Sequence, residues 1–336
     1  MEQLRDALIA ADLNPVALGD KVLVLPLGAR TIGLFADPAR NAFWTDARLE
    51  DAEATRRLIE ESGWLNLGGD RTWISPEVET HVADVNRFFD TYEVPGAVDP
   101  GTYEVMERDD RSVTLRNRPT IRFHRAGVDV PLSVTKRITM IDEPPVQIGP
   151  GVRCAGYRQS TRLQADGSLP ETVRPAIWNL IQVPADGTIT ALLEEPAAPR
   201  PFFGTPEVSV TDRSVSCRVR TNDMYKFGVH ADVSAGVLMC HHERDGRAEL
   251  IVRDFEVRSA DLYYDVPPDG LDERGYMTQV FVDDGTFGGF GELEYHGTAL
   301  GTPGQDRRVD DVSRVWALDG PSEQIARVRD QLTEGR

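Results

Sequence analysis

Glu292, Glu294 and His296 occupy alternate positions of Gly288-Gly289-Phe290-Gly291-Glu292-Leu293-Glu294-Tyr295-His296-Gly297. In an extended strand, residues two apart share a face. Two carboxylates and an imidazole therefore project together, while Leu293 and Tyr295 face the other way. Adjacent carboxylates raise one another's pKa, and a histidine beside them completes an acid and base pair suited to neutral pH. The solvated face of an acidic protein would show the same alternation. The glycines before the strand suggest that something approaches the backbone there.

Three further stretches carry chemistry-bearing residues. In Asn222-Asp223-Met224-Tyr225-Lys226-Phe227-Gly228-Val229-His230, Lys226 is an isolated cation among apolar residues. It could anchor an anionic or hydroxylated ligand, or serve as counter-ion to a buried carboxylate. In Trp178-Asn179-Leu180-Ile181-Gln182-Val183-Pro184, Trp178 and Gln182 share one face and Asn179 takes the other. An amide in an apolar strand must find partners, from a ligand or a neighbouring backbone. Residues 64–77 combine Gly68-Gly69, Asp70-Arg71, Trp64 and Trp73. Glycines let backbone bend or come close to a ligand, Asp and Arg pair an acceptor with a fork of donors, and Trp offers a flat apolar platform. That set suits a sugar ring; the alternative is a strand-entry turn with a structural ion pair.

Composition excludes several classes. A net charge of −18 argues against nucleic acid and anionic membrane as partners. Lys21, Lys136 and Lys226 are the only lysines. Cys154, Cys217 and Cys240 are odd in number and widely spaced, so neither a disulfide framework nor a metal pattern is expected, and a reducing cytoplasm fits. His241-His242 places two rings on opposite faces of a strand. No metal, cofactor, nucleophile elbow, phosphate loop or dinucleotide fingerprint is predicted. The N-terminus reads as amphipathic rather than as a signal peptide, and no apolar run approaches a membrane span.

Many short Val/Ile/Thr/Tyr-rich runs between Gly, Pro and Asp predict an all-β chain with a few peripheral helices. Expected are a helix over 2–12, a hairpin of 21–25 with 30–35, a helix from Thr45 or Asp46 through Glu60, and β structure from about 84 to 320. Glu195–Pro206 reads as a long loop, and Pro321 to about Leu332 as a terminal helix. One domain over 1–336 is expected, with a β core over 15–320 flanked by helices at 1–13 and 321–333.

The Gly-Gly-Asp-Arg-Thr-Trp-Ile-Ser-Pro-Glu run, the Trp-Asn-Leu-Ile-Gln-Val-Pro strand, the Tyr-Lys-Phe-Gly-Val segment and the Gly-Glu-Leu-Glu-Tyr-His strand together resemble, in that order, the galactose mutarotase-like superfamily. The resemblance spans about residues 20–320 and is nearest to an uncharacterised bacterial branch. It implies an antiparallel β-supersandwich with a sugar-binding concave face. By that resemblance Asp70 and Arg71 bind substrate, and Glu294 is the base, with Glu292 as alternative. The family's histidine on a middle strand has no counterpart near Asn179; His230, His241 or His296 would have to substitute. The expected ligand is a small carbohydrate, held by Asp70, Arg71 and Lys226, with Asn179 as a further contact and Trp73 or Trp178 stacked on its face. The expected protein is a monomer or homodimer. Three functions follow: a sugar epimerase, a non-catalytic carbohydrate-binding or regulatory protein, or a lyase or hydrolase of acidic sugars, in which Lys226 and Arg71 neutralise a carboxylate.

Overall fold

Strand periodicity resolves into two antiparallel sheets in the computed structural model, which describes residues 1–61, 63–302, 304 and 307–335. Strands are numbered in chain order. The first sheet has nine, beginning with β1 (Val16–Leu18), β2 (Val22–Leu25), β3 (Arg30–Leu34) and β4 (Asp70–Ser75). It continues through β10 (Ala176–Pro184), β19 (Phe290–His296), β18 (Tyr276–Val282), β15 (Tyr225–His230) and β12 (Arg200–Phe203). The second, eleven-stranded sheet starts with β13 (Val208–Thr211), β14 (Ser214–Arg218), β11 (Thr188–Leu193), β16 (Ser234–Arg244) and β17 (Arg247–Phe255). There follow β20 (Arg308–Pro321), β9 (Arg153–Ala165), β8 (Val128–Ile141), β6 (Ser112–Asn117) and β5 (Glu104–Arg108), with β7 (Thr120–Phe123) paired to β8.

Alternation along the strands builds the core between the sheets. In β8, Leu132, Val134, Ile138 and Met140 face inward at every second position, and Lys136 falls in the same series. Val24, Ile181, Leu293 and Tyr295 of the first sheet meet Ile138, Leu238, Ile251 and Ala317 of the second in one apolar cluster. Helix α4 (Ser322–Glu334) covers the outer face of the second sheet, laying Ile325, Val328 and Leu332 against Leu250, Val252, Trp316 and Leu318. Helix α1 (Glu2–Ala10) joins α2 (Ala52–Glu60) over the first hairpin, through Leu4 and Leu8 with Leu23, Leu25 and Leu58. Among the described residues, no helix is long and apolar enough to cross a membrane.

Three expectations change. The helix from Asp46 to Glu60 is broken at Asp51. Asp46 accepts from the Arg48 N–H over a short 3-10 turn, and Asp51 then caps α2 by accepting from the Ala54 N–H. Each aspartate offers the backbone a local partner that competes with a continuous helix. The presumed loop Glu195–Pro206 contains β12, an edge strand on β15, where the missing N–H of Pro201 is tolerated. Regular β structure begins at β5, because residues 84–101 form short helical turns.

Candidate functional site

β4, β10, β19, β18 and β15 lie side by side at the middle of the first sheet, and their register decides which side chains meet. Trp178 is opposite His296 and Trp73; Leu180 is opposite Glu294 and Arg71; Gln182 is opposite Glu292. Gln279 lies opposite Glu294 on the other side, and Lys226 is opposite Phe281. These residues share the face turned away from the second sheet, and they form one buried polar cluster.

Two ion-paired groups divide it. Arg71 donates from Nη2 to Glu292 Oε1 at 2.7 Å, and Gln182 Nε2 donates to the same oxygen at 2.9 Å. The Arg71 guanidinium lies over the Trp73 ring, 4.3 Å from its centroid. Lys226 Nζ lies 3.0 Å from both Glu294 Oε2 and Glu77 Oε2, and 4.4 Å from the Trp178 ring centroid. Trp178 Nε1 donates to Glu294 Oε2 at 2.8 Å. Lys226 is thus the counter-ion to buried carboxylates, one of its two expected roles.

The next residues come from outside the strands. The cis Ser75-Pro76 bond leads from β4 into α3 (Glu77–Thr80), which turns Glu77 back over the sheet. The Glu77 N–H donates to Asp265 Oδ1, and Gln279 Nε2 donates to Asp265 Oδ2 at 2.8 Å. Tyr92 donates its hydroxyl to Glu77 Oε1. His81 packs between Trp73, Trp178 and Tyr92. His296 stacks on Trp178, with Nδ1 at 3.0 Å from Ser75 Oγ and Nε2 at 3.6 Å from Asp265 Oδ2.

Burial sets the electrostatics. It pushes the Glu294 carboxyl up to about 8, since the Lys226 charge only partly offsets desolvation while Glu292 and Glu77 add to it. Burial likewise raises Glu77 and Asp265, again against the pull of Lys226. Desolvation alone would lower Lys226, but Glu294, Glu77 and Asp265 outweigh it and hold the ammonium charged. Burial, helped by Lys226 and Arg71, drives His81 down to about 3. His296 is also pulled well below its ordinary value by burial, with Lys226 adding to the effect. Both imidazoles are therefore neutral.

Other expected site residues lie elsewhere. Asp70 and Arg71 do not act as a pair, because consecutive strand residues face opposite ways. Asp70 points between the sheets, where Arg253 and the Tyr157 hydroxyl bind it. Asn179 also points inward, bonded to Thr72, Gln159 and Asp311. A register shift between Val229 and His230 takes His230 out of line with Lys226, and its neighbours are Asp232 and Tyr276. His241 and His242 belong to β16 in the second sheet. Trp73 and Trp178 do join the cluster, but their rings already carry Arg71, Lys226, His81 and His296.

The glycines also have another use. A Cβ on Gly68 would lie 2.3 Å from the Trp44 carbonyl oxygen, and one on Gly69 2.5 Å from that of Thr31. A Cβ on Gly288 would lie 2.4 Å from the Trp44 ring. Positive φ at all three adds a second reason for glycine. What approaches these backbones is protein. Sequence reasoning missed Glu77 as a site residue, together with His81, Tyr92, Asp265 and Gln279. Glu77 ended the Trp64–Glu77 stretch and Gln279 alternated correctly on its strand; Asp265 carried no local signal.

Comparisons with known proteins bear on the fold. No family model and no curated protein matches the sequence. The chain is similar to the Slr1438 protein of Synechocystis sp. PCC 6803, with a TM-score of 0.50 and 11% identity, over 90% of this chain and 92% of that one. A candidate aldose 1-epimerase from Escherichia coli K12 gives 0.49 at 12% identity, over 91% and 98%. Galactose 1-epimerase from Lactobacillus acidophilus NCFM gives 0.45 at 9% identity, over 89% and 91%. The architecture is the all-β, galactose mutarotase-like supersandwich that the sequence motifs resemble.

Proposed function

We propose that this chain is a carbohydrate-active protein that exchanges the anomers of a bound sugar, with Glu294 as the base. One observation carries the reading: a fully buried carboxyl on the central strand, gripped by Trp178 and Lys226 and pushed up to about 8. Such a group takes a proton from an anomeric hydroxyl and returns it near neutral pH. As the O1–H proton passes to Glu294, the bond from C1 to the ring oxygen breaks and that oxygen takes a proton. Rotation about C1–C2 and closure give the other anomer. The acid that resemblance assigns to a histidine falls here to Glu77, whose carboxyl is raised by burial and linked to Glu294 through Lys226. His81 and His296, both neutral, accept or donate hydrogen bonds to sugar hydroxyls. Lys226 and Arg71 orient the ligand.

Carbohydrate binding without catalysis is the second reading, favoured by burial: Glu294 is 1% exposed and Lys226 2%. The acidic-sugar reading loses its basis, because Arg71 is balanced by Glu292 and Lys226 by Glu77 and Glu294.

Polarimetry on anomerically pure aldohexoses tests the first reading. Wild-type protein accelerates anomer exchange, and Glu294→Gln lowers the rate about 10²–10⁴-fold. Exchange left intact in Glu294→Gln removes Glu294 as the base. Saturation-transfer contacts to a sugar without acceleration select the second reading.

A further inference from the structure

The ionisable groups of the cluster do not balance. Arg71 and Glu292 form one matched pair, but Lys226 alone faces Glu77, Glu294 and Asp265. Buried carboxyls without counter-ions keep their protons, so this set holds protons that an incoming cation could displace.

Hydrogen-bond capacity is skewed the same way. Gln279 directs its amide nitrogen to Asp265 Oδ2 and the Tyr276 carbonyl, both acceptors, which fixes its Oε1 as an acceptor with no partner among the described residues. Gln182 directs its nitrogen to Glu292, leaving its Oε1 in the same condition. Thr80 Oγ1 lies 2.8 and 3.0 Å from the Ile74 and Pro76 carbonyls, so its single proton is committed there. It must accept from His81 Nδ1–H, which leaves His81 Nε2 as a bare, unpartnered acceptor. Gln279 and Gln182 are 0% exposed, and His81 is 1% exposed. Against these stand the unpartnered Nε and Nη1 of Arg71. The wanted ligand is rich in donors and carries positive charge. Among the described residues, no group of three or more His, Cys, Asp or Glu side chains is arranged to hold a metal ion.

We propose that the sugar bound at this site is an amino sugar, its ammonium group seated among Glu77, Asp265 and Glu294 and its hydroxyls met by Gln279, His81 and Arg71. An ammonium offers three donors and no acceptor, matching both imbalances. On binding, the ammonium replaces a carboxyl proton, so about one proton leaves the site. The inference rests on the sugar reading above and adds the substrate class.

Isothermal titration calorimetry of the full chain at pH 7, in two buffers of different ionisation enthalpy, tests it with galactosamine, galactose and galacturonate. Galactosamine should bind at least tenfold more tightly than galactose, with buffer-dependent heat equivalent to release of about one proton, and galacturonate should bind most weakly. Glu77→Gln should bring galactosamine affinity toward that of galactose. Galactose binding as tightly as galactosamine, or galactosamine binding without proton release, overturns the amino-sugar assignment while the sugar reading stands. If none of the three binds, the sugar reading fails and the assignment with it.

Discussion

The two faces of β4 and β10 carry two buried polar clusters of opposite design. Toward the second sheet, Asp70 is bound by Arg253 and Tyr157, while Asn179 links Thr72, Gln159 and Asp311. Acids and bases nearly cancel there, with Lys136 and Arg253 facing Asp70 and Asp311. On the outer face one lysine serves three carboxyls. A balanced buried network holds strands together, whereas an unbalanced one retains protons and is placed to move them. Residues adjacent in sequence, Asp70 and Arg71 or Trp178 and Asn179, are thereby sorted into structural and chemical roles.

Breaking the inner cluster should show first in stability. Asp70→Ala leaves Arg253 buried without its carboxylate, and the expected loss is about 3–5 kcal/mol in denaturant unfolding. The folded fraction should keep its sugar affinity, because Asp70 does not reach the outer face. A stability change below about 1 kcal/mol would mean that Arg253 is solvated and the two faces are not distinct in kind.

A pH titration sharpens the contrast. The raised Glu294 carboxyl must be ionised to act as a base, so kcat/KM should climb as pH rises through about 8. Stability runs the other way. A carboxyl lifted from its ordinary 4.5 to about 8 binds a proton more tightly in the folded state. Its stabilising contribution is complete below 4.5 and is lost as pH rises through 8. Glutamine cannot ionise, so Glu294→Gln should gain in Tm relative to wild type as pH increases over that range. A Tm difference independent of pH would show that Glu294 is already ionised at neutrality.

Much of the outer cluster was legible in the sequence, because period two alone puts Glu292, Glu294 and His296 on one face and Trp178 with Gln182 on another. The same rule separates Asp70 from Arg71, and reading them as a ligand-binding pair set it aside. It also places Lys136 in the inward series of Leu132, Val134 and Ile138. His230 escaped because a register shift breaks the period after Val229. Glu77, His81 and Asp265 come from a helical turn and loops, where side-chain direction has no repeat to read. What joined them to the strands was tertiary contact, such as the Glu77 N–H donating to Asp265.

The smallest expected effect isolates one proton on His81. Thr80→Val keeps the shape of the side chain and removes the oxygen that accepts from Nδ1–H. The imidazole is then free to carry its proton on Nε2, turning an acceptor toward the ligand into a donor. Stability should fall by about 1 kcal/mol for the lost hydrogen bonds. Affinity for a donor-rich sugar should drop about threefold to tenfold, within the range of one neutral hydrogen bond. The pH profile should not move, since it belongs to Glu294. Nitrogen-15 NMR of the imidazole reads the tautomer directly. A wild-type His81 protonated on Nε2 would reverse the donor and acceptor count on the outer face and remove one of the features that set it apart from the inner one.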